Sequence, residues 1–165
     1  MLSELLVKEL EQESASSFKM LVLVPGDQLN WQPHPKSMTL GKLAGHVTEI
    51  HSWIKFCIER EVMDFGIEKW EPITADNGEG FAQQAKELTK ESMDALKNSD
   101  DDTFLNKRWA MKYNGQMIMD FTKYEAVRHS LSQMIHHRAQ LGVFLRLLDI
   151  PIPGTYGPSA DEMEM

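Results

Sequence analysis

Cysteine is nearly absent from this chain. Cys57 stands alone among 165 residues, which excludes an internal disulfide framework and fits a reducing compartment. Long apolar runs are missing as well, and nothing approaches the roughly 18 consecutive apolar residues that a membrane span requires. The opening stretch, "MLSELLVKELEQESASSF", carries glutamates where a secretory leader needs its apolar centre. Export is therefore not expected, and a cytoplasmic location is. Positive charge is in deficit: 17 Lys and Arg face 25 Asp and Glu, for a net charge of −8. A protein of that sign is repelled by phosphate backbones, and no basic block with interleaved aromatics offsets it, so no nucleic-acid partner is expected.

What is present reads as one soluble domain over residues 1–165, with 42% apolar and 25% charged residues, and long enough to bury a sizeable core. Residues 3–24 repeat Leu5, Leu6, Leu10, Phe18, Leu21 and Val22 at the spacing of one helix face. The proline-rich "VPGDQLNWQPHPKSMT" follows as a loop, and Ser37 or Thr39 can cap the next helix. That helix, "LGKLAGHVTEIHSWIKFCIE", aligns Leu40, Leu43, Val47, Ile50, Ile54 and Cys57. A third helix is expected from about Gly80 to Lys97, ended by "NSDDDTF". In "RWAMKYNGQMIM", Asn114-Gly115 predicts a small hairpin or extended excursion near 107–119, because both residues tolerate positive φ. A long last helix spans Thr122 to Leu148, and "DIPIPGTYGPSADEMEM" makes an irregular tail. Four such helices bury their stripes most simply as an all-α four-helix bundle, and the two loops of more than ten residues suggest crossover connections.

The residues capable of chemistry gather on the second and last helices. His46 follows Leu43 by three residues and precedes Ile50 by four, at the edge of the buried stripe. His137 holds an equivalent position between Met134 and Leu141, and Gln133 lies one turn before it on the same face. His129 lies a further turn back. Imidazoles are common ligands of zinc, nickel and related divalent ions, and three donors leave open positions for water or substrate. Such histidines also serve as ordinary structural residues, which is the reading for His34 and His51, neither of which has a partner at metal spacing. His136 cannot share the face of His137, so it is a candidate to support the site or, with Arg138, to capture an anion. The stem of Arg138 can pack while its head pairs with an acidic neighbour.

Two stretches, "NWQPHPKSMTLGKLAGHVTEIHSW" and "HSLSQMIHHRAQLGVFLRLLDIPIPGTYGPSADE", resemble the DinB-like (DinB/YfiT) superfamily of bacterial bundle proteins. The tryptophan-proline loop, the Leu-Gly start of a histidine-bearing helix and the late His-His-Arg-x-Gln run occur in that family's order, over nearly the whole chain. The resemblance implies a four-helix bundle with a crossed connection, often a homodimer. It also implies a divalent metal held by one histidine of the second helix and two at i and i+4 on the last. Family activities include metal-dependent transferases and isomerases that use low-molecular-weight thiols, and hydrolases are also described. Carried onto this chain, His46 matches the first ligand and His137 the last, while the middle ligand falls on Gln133.

An amide oxygen is a weaker donor than imidazole, so three outcomes stay open. Gln133 ligates through its oxygen, His129 takes its place, or the metal has been lost and a polar pocket remains. One expectation is therefore a metal-dependent transferase or hydrolase acting on a small molecule, with His46, Gln133 and His137 as ligands, His129 as general base and His136 in support. The other is a non-catalytic, ligand-binding or dimeric bundle with a degenerate site. The tail is expected to fold back over the bundle end, bringing Tyr156 to the pocket or to a dimer seam.

Overall fold

The apolar spacing resolves into four long helices, α1 (Leu2–Leu21), α2 (Leu40–Glu59), α3 (Gly78–Lys97) and α5 (Lys123–Leu147), with a short α4 (Asp101–Asn106) before the last. The structure, a computed structural model, describes residues 1–163; residues 164 and 165 of the expected 1–165 domain lie outside the described residues. Caps set the helix starts. Thr39 Oγ1 accepts from the Lys42 amide at 3.3 Å and Asn77 Oδ1 from the Gly80 amide at 3.0 Å. At α5 the capping is reciprocal: Thr122 Oγ1 accepts from the Glu125 amide, and Glu125 Oε2 from the Thr122 amide at 2.7 Å.

The core forms two adjoining clusters. One centres on Leu10, Ile50, Ile54, Leu96, Phe104 and Leu131, the other on Leu21, Leu40, Leu43, Phe81, Leu141 and Leu145. Every apolar residue expected on the α2 stripe is buried. On α1 the expectation needs correction: Leu5 points outward at 64% exposure, because Leu6 and Leu10 define the buried face. Among the described residues no helix is long and apolar enough to cross a membrane.

Three strands correct the all-α expectation. The hairpin is there, as β2 (Arg108–Tyr113) and β3 (Gln116–Thr122), but it runs on to Thr122 and recruits β1 (Val62–Asp64) in the order β1-β2-β3. Asn114 at φ 49° and Gly115 at φ 81° form its turn. The Asp64 carboxylate ties β1 to that turn, accepting from the Asn114 amide at 2.9 Å and the Gly115 amide at 2.7 Å. A three-residue strand paired in parallel with residues almost fifty positions away leaves no local periodicity to read. A second correction concerns "NSDDDTF". Besides ending α3, it starts α4, since Asp100 Oδ1 accepts from the Thr103 amide at 2.8 Å.

Helix α2 packs between α3 and α5, and α1 packs on the same two from the far side. Helices α1 and α2 therefore occupy opposite corners, so the proline-rich loop crosses the bundle end. The other long loop, residues 60–77, joins the neighbours α2 and α3 and is not a crossover. The second crossing is made by α4 and the hairpin, which carry the chain from α3 to α5. This places α2 beside α5, the two helices that carry the candidate histidines.

Candidate metal and ligand centre

His46 and His137 meet across the α2–α5 seam. Their rings lie 4.5 Å apart, centroid to centroid, edge to face at 82°. Both are half-buried. Burial holds each imidazole below its ordinary value, and for His137 the neighbouring His46 and His136 rings add to the shift while Gln140 opposes it. Near neutral pH both rings are thus uncharged, the state in which an imidazole nitrogen offers a lone pair.

Two glutamine amides flank the His137 ring. Gln140 Oε1 lies 2.9 Å from Nδ1, and Gln133 Oε1 lies 3.1 Å from Nε2. A neutral ring has one N–H. Donated from Nδ1 to Gln140, it leaves the Nε2 lone pair facing another acceptor, the Gln133 oxygen. Two acceptors at that distance need a cation or proton between them, or a Gln133 amide turned to present its NH2 group. Two donors each about 2.0–2.2 Å from one ion, at roughly a right angle, lie about 3 Å apart. The Gln133–His137 separation is of that size, and the His46 ring lies beside the pair.

The fit is that of a weak centre. Among the described residues no three His, Cys, Asp or Glu side chains converge as a metal cage. The third donor has to be the neutral amide, and His129 does not complete a triad. His129 lies instead against Phe121, with ring centroids 5.7 Å apart, in a separate cleft. His136 stacks edge-on against His137 at 4.9 Å on the exposed side, and its Nε2 meets Gln140 Nε2 at 3.1 Å. It supports the pair from outside. The anion-capturing role with Arg138 is overturned, because Arg138 is buried and already bound to Glu13. His34 is a loop residue whose Nδ1 accepts from the Lys36 amide at 3.1 Å.

Three neighbours were not singled out from the sequence. Glu49 Oε1 lies 3.9 Å from His46 Nδ1. It is a buried carboxylate that accepts from the Trp53 indole N–H at 3.2 Å, while Trp70 approaches it without hydrogen-bond geometry. Burial pushes the Glu49 carboxyl above its usual range, against the opposing effect of the two indoles. Trp53 meets the His46 ring edge-on at 5.5 Å, and Gln140 orients His137. The signal for all three was helical spacing: Glu49 and Trp53 follow His46 by three and seven residues, and Gln140 follows His137 by three.

The sequence profile described as the DinB family matches residues 1–164. The chain belongs to the DinB family. Its fold resembles a DinB-like protein from Bacillus cereus ATCC 10987, with a TM-score of 0.69 and 20% identity over 92% of this chain and 95% of that one. A DinB-like protein from Bacillus subtilis gives a TM-score of 0.68 at 15% identity, covering 91% of this chain and 96% of the other. Identities this low speak for a shared DinB fold alone. No curated protein matches the sequence.

Proposed function

We propose that this DinB-family chain is a metal-dependent enzyme, of the transferase or hydrolase type, acting on a small molecule at His46, Gln133 and His137. The observation that carries this reading is the convergence of His137 Nε2 and Gln133 Oε1, 3.1 Å apart, with the His46 ring beside them. A zinc or nickel ion held there would lower the pKa of a bound water or low-molecular-weight thiol, or polarise a carbonyl. Gln140 would keep the Nδ1 proton on His137 and so direct Nε2 into the centre, as partners of ligating histidines do. Glu49 would orient His46 from the opposite side. His129, held neutral by burial, is the nearby group suited to accept a proton from a substrate. The thiol co-substrate, the homodimer and the cytoplasmic setting rest on the family resemblance and the composition.

A second reading is a non-catalytic ligand-binding bundle. The neutral amide in the middle position, with no third His, Cys or acidic donor among the described residues, favours it. One experiment separates the two. Tag-free protein purified without chelator is analysed for metals, beside His46→Ala and His137→Ala. Near-stoichiometric zinc or nickel, lost in both variants, supports the enzyme. Metal-free protein whose melting is unmoved by added zinc or nickel, together with tight binding created by Gln133→His, establishes the degenerate site.

A further inference from the structure

We propose that the open hollow beside His137, between α2, α5 and the proline-rich loop, seats a compact, uncharged apolar group of this protein's small-molecule ligand. Leu43 of α2, 1% exposed, lies at its base, and its sides are Val143 and Phe144 of α5 and Met38 of the loop. About 330 Å³ lies between them, within the range of small-molecule sites. The polar part of the lining is sparse and neutral: the Ser37 hydroxyl, the Gln140 amide and the His137 ring. Among the described residues no Asp, Glu, Lys or Arg side chain lines it. A charged group entering would give up hydration without meeting a counter-charge, whereas an aliphatic group gains by leaving water.

The loop shapes the hollow, and its fastening makes that wall a fixed one. Trp31 packs edge-on against Phe144 at 5.6 Å. The Trp31 carbonyl accepts from the Leu40 amide at 2.8 Å and the Leu29 carbonyl from the Gly41 amide at 2.9 Å. The loop is thus stitched to the first turn of α2. The Ser37 amide donates to the His34 carbonyl at 2.9 Å, closing a turn with Pro35 in its second position, where proline is favoured. Ser37 and Met38 leave that turn as part of the wall.

Gln140 joins the hollow to the histidine centre. It lines the one, and its Oε1 lies 2.9 Å from His137 Nδ1 in the other. A ligand seated here therefore touches a residue of the proposed centre. That this ligand is the substrate rests on the metal-centre reading above, whereas the seat itself does not.

The test is an NMR titration of methyl-labelled full-length protein, held in chelator, with cyclohexanone and with its charged counterparts cyclohexanecarboxylate and cyclohexylammonium. The reporters are the Met38 and Val143 methyl resonances, assigned by their loss in Met38→Trp and Val143→Trp. Saturable shifts of both are expected at about millimolar cyclohexanone, the affinity of so small a ligand, and binding of either ion about tenfold weaker or more. Met38 and Val143 are 43% and 58% exposed, so an indole at either position is accommodated at the rim and fills the hollow. Each variant weakens cyclohexanone binding by a similar factor, read on the reporter it retains, and the second stands in should the first misfold. Chelator keeps these outcomes independent of the metal, which the elemental assay tests by itself. Absence of saturable shifts, affinity for either ion equal to that for cyclohexanone, or undiminished binding in a folded filled variant overturns the proposal.

Discussion

Arg138 and Glu13 form an ion pair inside the bundle, joining α5 to α1 across 125 residues of chain. Their charged groups lie 2.7 Å apart, with side chains 2% and 7% exposed. Arg138 Nη1 also donates to the Glu13 carbonyl at 2.8 Å. The Tyr156 hydroxyl completes the set, accepting from Arg138 Nη2 at 2.8 Å and donating to Glu13 Oε2 at 2.7 Å. Both charges of this pair are thus partnered and hydrogen-bonded, the condition under which burial is tolerated.

Breaking this pair on one side should cost more than removing it whole. Glu13→Ala leaves a guanidinium stranded without its counter-charge, a loss of about 3–5 kcal/mol. Glu13→Leu with Arg138→Met removes both charges, conserves volume roughly and should lose distinctly less. Urea unfolding of Glu13→Leu, of Arg138→Met and of the double variant measures the coupling directly. A double-variant loss equal to the sum of the two single losses would show that the pair is not coupled.

His51 gives the protein a pH-dependent stability. It is fully buried on α2, stacks on Phe18 at 5.7 Å and donates from Nδ1 to the Val47 carbonyl at 2.9 Å, while Nε2 has no partner. Burial is the main cause that lowers its pKa from 6.5 to about 4, with a smaller contribution in the same direction from the Arg138 charge. Between those values the unfolded chain holds a proton that the folded chain refuses. The stability this residue confers is therefore complete above pH 6.5 and falls as the pH drops towards 4, by about 3 kcal/mol at most. Urea unfolding at pH 7 and pH 4.5 should show a smaller decline in His51→Phe than in the parent chain. Identical declines would assign the acid sensitivity to other groups.

The sequence disclosed the four long helices because their apolar residues recur at helical spacing and their caps are local. It disclosed the hairpin because Asn114-Gly115 is a local signal. It missed β1, which is defined only by its long-range partner β2, and it misplaced Leu5, where two adjacent leucines competed for one face. His46, Gln133 and His137 could be read from spacing and resemblance, whereas Glu49 and Gln140, although one helical turn from those histidines, carry no local mark of a histidine's partner. Arg138 is instructive. It occupies the position between Met134 and Leu141 on the stripe of Val127, Leu131 and Leu145, and its packed stem and acid-paired head were expected, yet nothing local names Glu13 as the acid. Pairings across more than a hundred residues leave no periodic trace.

Gly45 lets α2 approach the loop before α3. A Cβ built at this position would lie 2.1 Å from the Ile73 carbonyl oxygen, a clash with backbone that no rotamer relieves. Gly45→Ala should therefore push residues 60–77 off α2 and destabilise the chain by about 1–3 kcal/mol, the usual cost of overpacking. Since His46 is the next residue, the variant should also weaken zinc or nickel binding if the centre holds metal. Thermal melting checks the first effect and metal titration the second. A melting temperature unchanged from the parent would show that the loop yields without cost.

The tail is a strap along α5, and its anchor is Tyr156. Arg146 holds Asp161 through two contacts, at 2.9 and 2.5 Å, and Asp161 also accepts from the Ile152 amide at 2.9 Å. Glu162 accepts from the Gly154 amide at 3.1 Å and the Ser159 amide at 3.0 Å. The Asp161 pKa is lowered to about 2, chiefly by its bond to Arg146, so this outer clasp stays charged down to about that pH. The inner clasp differs, because among the described residues Tyr156 is the only one of the tail bonded to the buried pair. Tyr156→Phe removes a hydroxyl shared by both charges and should cost about 1–3 kcal/mol, as expected for hydrogen bonds to charged groups. Truncation after Leu148 should cost at least as much, since it also strips the cover from the α5 cleft lined by Met20, Ile135 and Ile152. Urea unfolding of the two forms decides it. A truncated chain as stable as the parent would mean that the Arg138–Glu13 pair closes without the tyrosine, and that the tail lies on the bundle without holding it.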